Sequence, residues 1–145
     1  MPSISRTFTT KATPAAAYAY LADFRTAEEW DPGTRTCERT SGDGGVGTTY
    51  RNVSGFLGRE LELTYTAVEL VPERLVHLQG GRDTFEGHDR FELAPAGAGT
   101  EVRYSAQFSF SGVAALGSPL VGLYLPVLAA RTLPQLRASL DRLAP

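Results

Sequence analysis

The sequence SPLVGLYLPVLAARTLPQLRASLDRL, from Ser118 to Leu143, sets the scale of this chain's architecture. In its second half leucines recur at steps of three and four, and charged residues fall off that stripe, which is the pattern of an amphipathic helix. A helix over the whole segment is roughly 39 Å long. The segments before it have strand patterns of up to about ten residues, or about 33 Å each. We therefore predict that a sheet of similar length curls around this helix.

Two prolines interrupt the helical pattern. Pro126 and Pro134 each remove a backbone donor and clash with the preceding turn. Either one kinks the helix, or Pro126 starts the main helix after a short separate turn. The apolar half before Pro126, residues 120–125, has almost no polar face. It is either a fully buried helix end or a surface that partly faces a ligand.

The composition is that of a soluble globular protein with a single domain, residues 1–145. Hydrophobic residues make up 42% and charged residues 21% of the chain. The formal net charge of -2 does not indicate a basic surface for nucleic acid or an anionic membrane. Cys37 is the only cysteine, and there is no HExxH and no carboxylate–histidine cluster at metal-ligand spacing. We predict no metal and no cofactor.

Two segments of the sequence predict where the protein is located in the cell. The N-terminal sequence MPSISRTFTT is polar and strand-like, unlike a signal peptide. The apolar run from Pro119 to Ala130 is too short to span a bilayer and contains a proline. We expect a cytoplasmic protein without stable membrane insertion, either a monomer or a homodimer.

The order of patterns along the chain predicts an antiparallel sheet with one wet face. A strand at Ser3–Lys11 precedes two short helices, and Asp31-Pro32 stops the second, since the residue before a proline leaves the helical region. Strands and turns follow, including a predicted five-residue turn at Pro95–Gly99. Thr100–Phe110 is the clearest strand, with apolar and polar residues in strict alternation.

The relative widths of sheet and helix predict a cavity. Seven strands at about 4.8 Å spacing make a sheet roughly 34 Å wide, whereas one helix is about 10–12 Å across. The sheet must curl, and the gap either fills with side chains or stays open. Several candidates for the inner face are large side chains with a polar tip, as in small-molecule sites. The alternative is that these side chains fill a dry core with their hydroxyls at its edge. The predicted ligand-lining residues are Trp30, Tyr50, Leu63, Tyr65, Phe91, Tyr104, Phe108, Tyr124 and Leu128.

For Trp30, packing in the core or cap is the alternative to contact at the cavity mouth.

Asp89 is the candidate catalytic residue. In the predicted strand Thr84–Leu93, alternation places it with Phe91 on the inner face. A buried carboxylate is costly unless it is paired. Asp89 is therefore either a structural carboxylate paired near the sheet rim or a cavity acid that contacts a ligand. Arg51 becomes its partner only if a bulge reverses the parity of that strand.

The two histidines, His77 and His88, are weaker candidates for proton transfer. Alternation directs His88 to solvent, and the face of His77 stays open. Without a visible partner, each is either a structural or surface residue or a proton shuttle.

The motifs and their order resemble those of the START/Bet v 1-like superfamily, in particular its bacterial polyketide cyclase/dehydrase-like (SRPBCC) branch. The resemblance covers essentially the whole chain. The matching pieces are Ala15–Asp23, Trp30-Asp31-Pro32, Gly45–Thr48, Pro72–Leu75, Gly99–Val102 and the C-terminal leucine helix.

The resemblance implies an α+β helix-grip fold. In that fold a seven-stranded antiparallel curved sheet wraps around a long C-terminal helix, and two short helices follow strand 1. It also implies a hydrophobic cavity for lipids, sterols, polyketides or similar molecules. Some relatives cyclise or dehydrate polyketides and others only bind ligands, so the resemblance does not decide between these activities.

Three functions remain open at this stage. The leading prediction is binding of a hydrophobic or amphipathic small molecule between sheet and helix. The alternative is a polyketide cyclase, aromatase or dehydratase that uses Asp89, and a weaker alternative is a regulatory protein with a vestigial cavity. An enzyme predicts that two or more titratable groups converge on one point of the cavity, whereas a carrier predicts isolated polar tips.

Overall fold

In the computed structural model the strands form one seven-stranded antiparallel sheet in the order β1-β7-β6-β5-β4-β3-β2. The structure describes residues 3–56, 58–82, 85–112 and 118–144, with the side chains of residues 56 and 118–121 left aside. The strands are β1 Ser3–Thr10, β2 Thr34–Ser41, β3 Thr49–Phe56, β4 Arg59–Val71, β5 Leu75–Arg82, β6 Phe85–Ala96 and β7 Gly99–Phe110. The helices are α1 Pro14–Ala22, α2 Ala27–Trp30 after a 3₁₀ turn at Phe24–Thr26, and α3 Ser118–Asp141.

Local chemistry explains the short helices between β1 and β2. Thr13 caps α1, because its hydroxyl accepts the N–H of Ala16 at 3.2 Å, and Pro14 occupies the first turn. Asp31 ends α2 in an extended conformation, as expected for a residue before proline. The predicted order of one strand, two short helices, further strands and a long helix is confirmed.

The C-terminal helix is continuous through both prolines. The alternative in which Pro126 starts a separate main helix is therefore wrong. The C-terminal half of α3 supplies the fully buried Leu136 and Leu140. At its end the Asp141 carboxylate accepts the Thr10 hydroxyl at 2.6 Å and ties α3 to β1. Residues 120 and 121 of the apolar half lie outside the described side chains.

The turn predicted at Pro95–Gly99 is wrong in its length. β6 continues to Ala96, and Pro95 pairs with Thr100 of β7. The pairing of β6 with β5 ends at Glu92, so Pro95 lies where β6 has lost its other neighbour. A proline without a backbone donor is tolerated at such an edge. Thr84, the predicted first residue of this strand, lies outside the described residues.

Glycines face each other in the middle of the sheet. Gly80 of β5 pairs with Gly87 of β6, and Gly80 pairs with Tyr65 of β4 on its other side. The Tyr65 ring lies over Gly80, so a Cβ there would stand 2.5 Å from a ring carbon. A Cβ on Gly87 would stand 3.3 Å from the Phe108 ring. Because these two glycines lack side chains, the Tyr65 ring can lie close to β5 and the Phe108 ring close to β6, the strand that carries Asp89.

Candidate functional site

The Asp89 carboxylate lies on the inner face of the sheet, on the side that alternation predicts. Tyr104 donates its hydroxyl to Asp89 Oδ1 at 2.6 Å. The Tyr65 hydroxyl interacts with the same carboxylate. Tyr104 comes from β7 and Tyr65 from β4, so strands on both sides of Asp89 direct a phenol toward it. Three titratable groups therefore converge on one point.

One leucine and two alanines lie beside this carboxylate on the inner face of the sheet. In the register of the strands, Asp89 lies between Leu78 of β5 and Ala106 of β7, and Ala67 of β4 follows Leu78. Asp89 and Tyr104 are half-buried, so protein atoms surround each side chain while part of its surface stays accessible to water.

Burial controls the protonation of the cluster. Loss of water raises the pKa of Asp89 from 3.8 to about 6, although the hydrogen bond from Tyr104 acts in the opposite direction. Burial likewise holds the pKa values of Tyr65 and Tyr104 well above 10.0. Asp89 therefore changes charge near neutral pH, while both phenols stay protonated hydrogen-bond donors. This combination can exchange a proton with a bound molecule and hold a carbonyl oxygen.

A second enclosed carboxylate, Asp31, lies close enough for its charge to raise the pKa of Asp89. Its own pKa is raised by burial, and it accepts the N–H of Gly33 at 3.0 Å and the hydroxyl of Thr34 at 2.9 Å. From the sequence, Asp31 is interpreted as a helix stop and as part of the Trp30-Asp31-Pro32 motif, and not as a site residue. The signal that could have identified Asp31 as a site residue is its position between α2 and β2, next to the buried Trp30.

The predicted lining residues fall into three groups. Trp30, Tyr50 and Phe91 are buried in an aromatic cluster, in which Trp30 meets Phe91 edge to face at 5.5 Å. Tyr65 and Tyr104 approach Asp89, and Leu63 is buried beside them on β4. The remaining three are half-buried: Phe108, which stacks on Phe85, and Tyr124 and Leu128, which line a separate cleft beside α3.

Both histidines lie on the outer face of the sheet. His77 Nε2 and His88 Nδ1 are 2.9 Å apart, and the pair is flanked by Glu69 and Glu86. Burial and the neighbouring His88 lower the pKa of His77. Arg51, the other partner considered for Asp89, is on this outer face as well and pairs with Glu62 at 2.7 Å. None of these groups contacts the inner carboxylate directly.

A polar groove of about 600 Å³ also follows the outer side of the sheet. Thr64, Thr66, Gln79 and Glu86 line it, and these residues alternate with the inner-face positions. These lining residues therefore lie on the opposite face of the sheet from Asp89.

The whole sequence, residues 1–145, matches the protein family described as "Polyketide cyclase / dehydrase and lipid transport". The chain belongs to this family. Its seven-stranded sheet, long C-terminal helix and short helices after β1 are those of the START/Bet v 1 helix-grip fold, so the predicted α+β helix-grip fold is confirmed. No curated protein sequence matches the chain.

Solved structures share the fold of this cyclase/dehydrase and lipid-transport family member at low sequence identity. The Zhui aromatase/cyclase from Streptomyces sp. R1128 has a TM-score of 0.80 at 14% identity, covering 97% of this chain and 93% of its own. A START superfamily protein from Mycobacterium smegmatis has a TM-score of 0.78 at 15% identity, covering 97% and 98%. The protein TTHA0849 from Thermus thermophilus has a TM-score of 0.77 at 16% identity, covering 99% and 97%.

Two further observations concern metal sites and membrane-spanning helices in this family member. Among the described residues, no group of three or more histidine, cysteine or acidic side chains is arranged to hold a metal ion. No helix in the described part of the chain is long and apolar enough to cross a membrane. The expectations of a cytoplasmic location, of no nucleic-acid partner and of a monomer or homodimer stay predictions.

Proposed function

We propose that this protein binds a hydrophobic or amphipathic small molecule between the sheet and α3, with the Asp89 cluster as its polar anchor. The observation that carries the proposal is that the Asp89 carboxylate and the Tyr104 hydroxyl are half-buried on the otherwise largely apolar inner face of the sheet. Aromatic rings surround these groups. A mostly apolar space with a few converging polar groups suits a ligand that carries a carbonyl or hydroxyl on a large apolar body.

Native mass spectrometry of the purified protein, followed by solvent extraction, tests this proposal. We expect a hydrophobic molecule bound at about one per chain, or its uptake from a panel of lipids and polyketides. The Tyr104→Phe variant removes one hydroxyl from the cluster and should weaken binding of a carbonyl-bearing ligand. Tyr18→Phe removes a hydroxyl from α1 and serves as the control. A wild-type protein that takes up nothing from the panel would contradict the proposal.

The second candidate function is acid–base catalysis of the cyclase or dehydratase type. It is favoured by the same convergence of titratable groups and by the pKa of about 6 for Asp89. The Asp89 carboxylate would take a proton from a carbon between two carbonyls, while one tyrosine hydroxyl would turn from Asp89 to donate to the enolate oxygen. When that carbon attacks a second carbonyl, Asp89 would return the proton to the new alkoxide.

The Asp89→Asn substitution separates the two candidates. An enzyme of this type loses turnover in the variant but still binds its substrate, whereas a carrier shows no turnover in either form. Mass spectrometry of the extracted ligand after incubation with each protein measures the difference. Equal conversion by the wild type and the variant would remove Asp89 from the chemistry.

A further inference from the structure

A cleft of about 390 Å³ lies between α3 and the parts of the sheet formed by β2, β3 and β4. Three arginines line it: Arg35 on β2, Arg59 on β4 and Arg131 on α3. Among the described residues, the lining of this cleft contains no acidic side chain. This concentration of positive charge stands out in a chain with a net charge of -2.

The arginines are largely available to a ligand. Arg35 pairs with Glu60 at 3.5 Å, and both side chains are exposed. Within the described part of the chain, Arg59 and Arg131 take part in no ion pair, and both are exposed. A guanidinium group presents a planar fork of donors that matches a carboxylate or a phosphate. The cleft therefore suits an oxyanion.

Backbone and apolar surfaces complete the cleft. Gly33, Gly55 and Gly58 lie along it. The Arg35 guanidinium lies over Gly55, whereas Gly58 leaves its main chain open to a ligand. Tyr124 and Leu128, four residues apart on one face of α3, form its apolar side. On the adjoining face Leu123 is 77% exposed and Val127 is 49% exposed. An apolar wall beside a basic lining matches an amphiphile rather than an inorganic ion alone.

The cleft adjoins the buried side of α3. Leu125 and Ala129, next to the lining residues Tyr124 and Leu128, are buried, as is Thr132 at the end of the cleft. The turn of Pro32 and Gly33, which also lines the cleft, follows the enclosed Asp31. We infer that the ligand of this protein is an amphiphilic anion, whose carboxylate or phosphate head is held by Arg35, Arg59 and Arg131 at the edge of the interior. This inference rests on the proposed function, because it places the apolar body of the ligand beneath α3.

A matched series of ten-carbon ligands tests the inference. Decanol, decanoate and decyl phosphate share one chain and differ in head charge, and calorimetry at low ionic strength gives their dissociation constants. We expect decanoate and decyl phosphate to bind at least tenfold more tightly than decanol, since two or more guanidinium groups face the head. Added salt should reduce this advantage, because the arginines are exposed.

Paired variants assign the effect to the cleft. R59Q/R131Q should abolish the advantage of the anionic heads over decanol. R39Q/R74Q removes the same charge from exposed positions outside the cleft and should retain the advantage. Loss of the advantage in both double variants would assign it to overall charge and overturn the inference.

Two results in the wild type distinguish failure of the inference from failure of the proposed function. Equal affinity for decanol and both anions would overturn the arginine site and leave the proposed apolar binding intact. No measurable binding of any of the three would contradict the proposed function, and the inference with it.

Discussion

The charge on Asp89 should make the stability of the fold depend on pH in a definite direction. Its pKa is raised from 3.8 to about 6 in the folded protein, so the folded state holds the proton more tightly than the unfolded state. The resulting stabilisation is fully present below about pH 4 and is lost as the pH rises through about 6. Above that range the buried charge opposes folding.

The Asp89→Asn variant should therefore be more stable than the wild type at about pH 8, by about 1–3 kcal/mol, and gain little at about pH 4. Urea unfolding at the two pH values measures the difference. Glu101→Gln, which removes an exposed carboxylate from β7, should show no comparable gain. An equal effect of Asp89→Asn at both pH values would mean that the carboxylate is not held in a water-poor environment.

The tyrosine hydroxyls should also shift the pKa of Asp89. The hydrogen bond from Tyr104 lowers the pKa of Asp89, and that from Tyr65 acts in the same direction with a smaller effect. Tyr104→Phe should therefore raise the pKa of Asp89 above about 6, and Tyr65→Phe should raise it by less. Carboxyl carbon chemical shifts followed by NMR across the pH range measure both. A lower pKa in Tyr104→Phe would contradict the observed donor role.

At the scale of elements, the paired glycines of β5 and β6 decide how closely the rings pack on the sheet. Gly80→Ala places a Cβ 2.5 Å from the ring of Tyr65, and this tyrosine side chain is buried. Overpacking of this kind destabilises a protein by about 1–3 kcal/mol. In Gly33→Ala the new Cβ meets its nearest atom at 3.4 Å, so this control should be close to neutral. Thermal unfolding compares the two, and equal stability would show that Tyr65 moves freely.

The prolines of α3 make a prediction about the helix. Pro134 is exposed and cannot donate to the carbonyl of Ala130, which precedes it by one turn. Pro134→Ala restores the donor and relieves the clash, so we expect a gain of about 1 kcal/mol or more in unfolding free energy. Pro32→Ala, in the exposed turn after α2, is the control and should not produce such a gain. A less stable Pro134→Ala protein would indicate that the helix bend at this position fits the sheet.

Particular residues explain what the sequence could and could not predict. Alternation in β6 and β7 is long and regular, so it predicted that Asp89 and Tyr104 lie on the same face. The turn prediction at Pro95 was wrong, because the sequence of a strand does not show that the strand pairs with a neighbour on one side only. The arginine cleft joins residues that are far apart in sequence, as Arg35 and Arg131 are. Neither local periodicity nor spacing brings such residues together.

At the scale of the whole molecule, ligand binding and protonation should be linked. A ligand that fills the space beside Asp89 removes the remaining water from a carboxylate that is already poorly solvated. Desolvation favours the neutral form, so the bound state should hold the proton more tightly than the free protein. Affinity for an uncharged ligand such as decanol should then decrease as the pH rises above about 6.

Calorimetry at about pH 7 in two buffers of different ionisation enthalpy measures this linkage directly. We expect uptake of a fraction of a proton per decanol bound by the wild type, because Asp89 is then mostly ionised in the free protein, and no uptake by Asp89→Asn. His77→Gln, which removes an imidazole from the outer face, is the control and should leave the wild-type uptake unchanged if Asp89 is its source. Binding of decanol without proton uptake would place the ligand away from Asp89. The proposed polar anchor would then be wrong, although the protein would remain a ligand-binding protein.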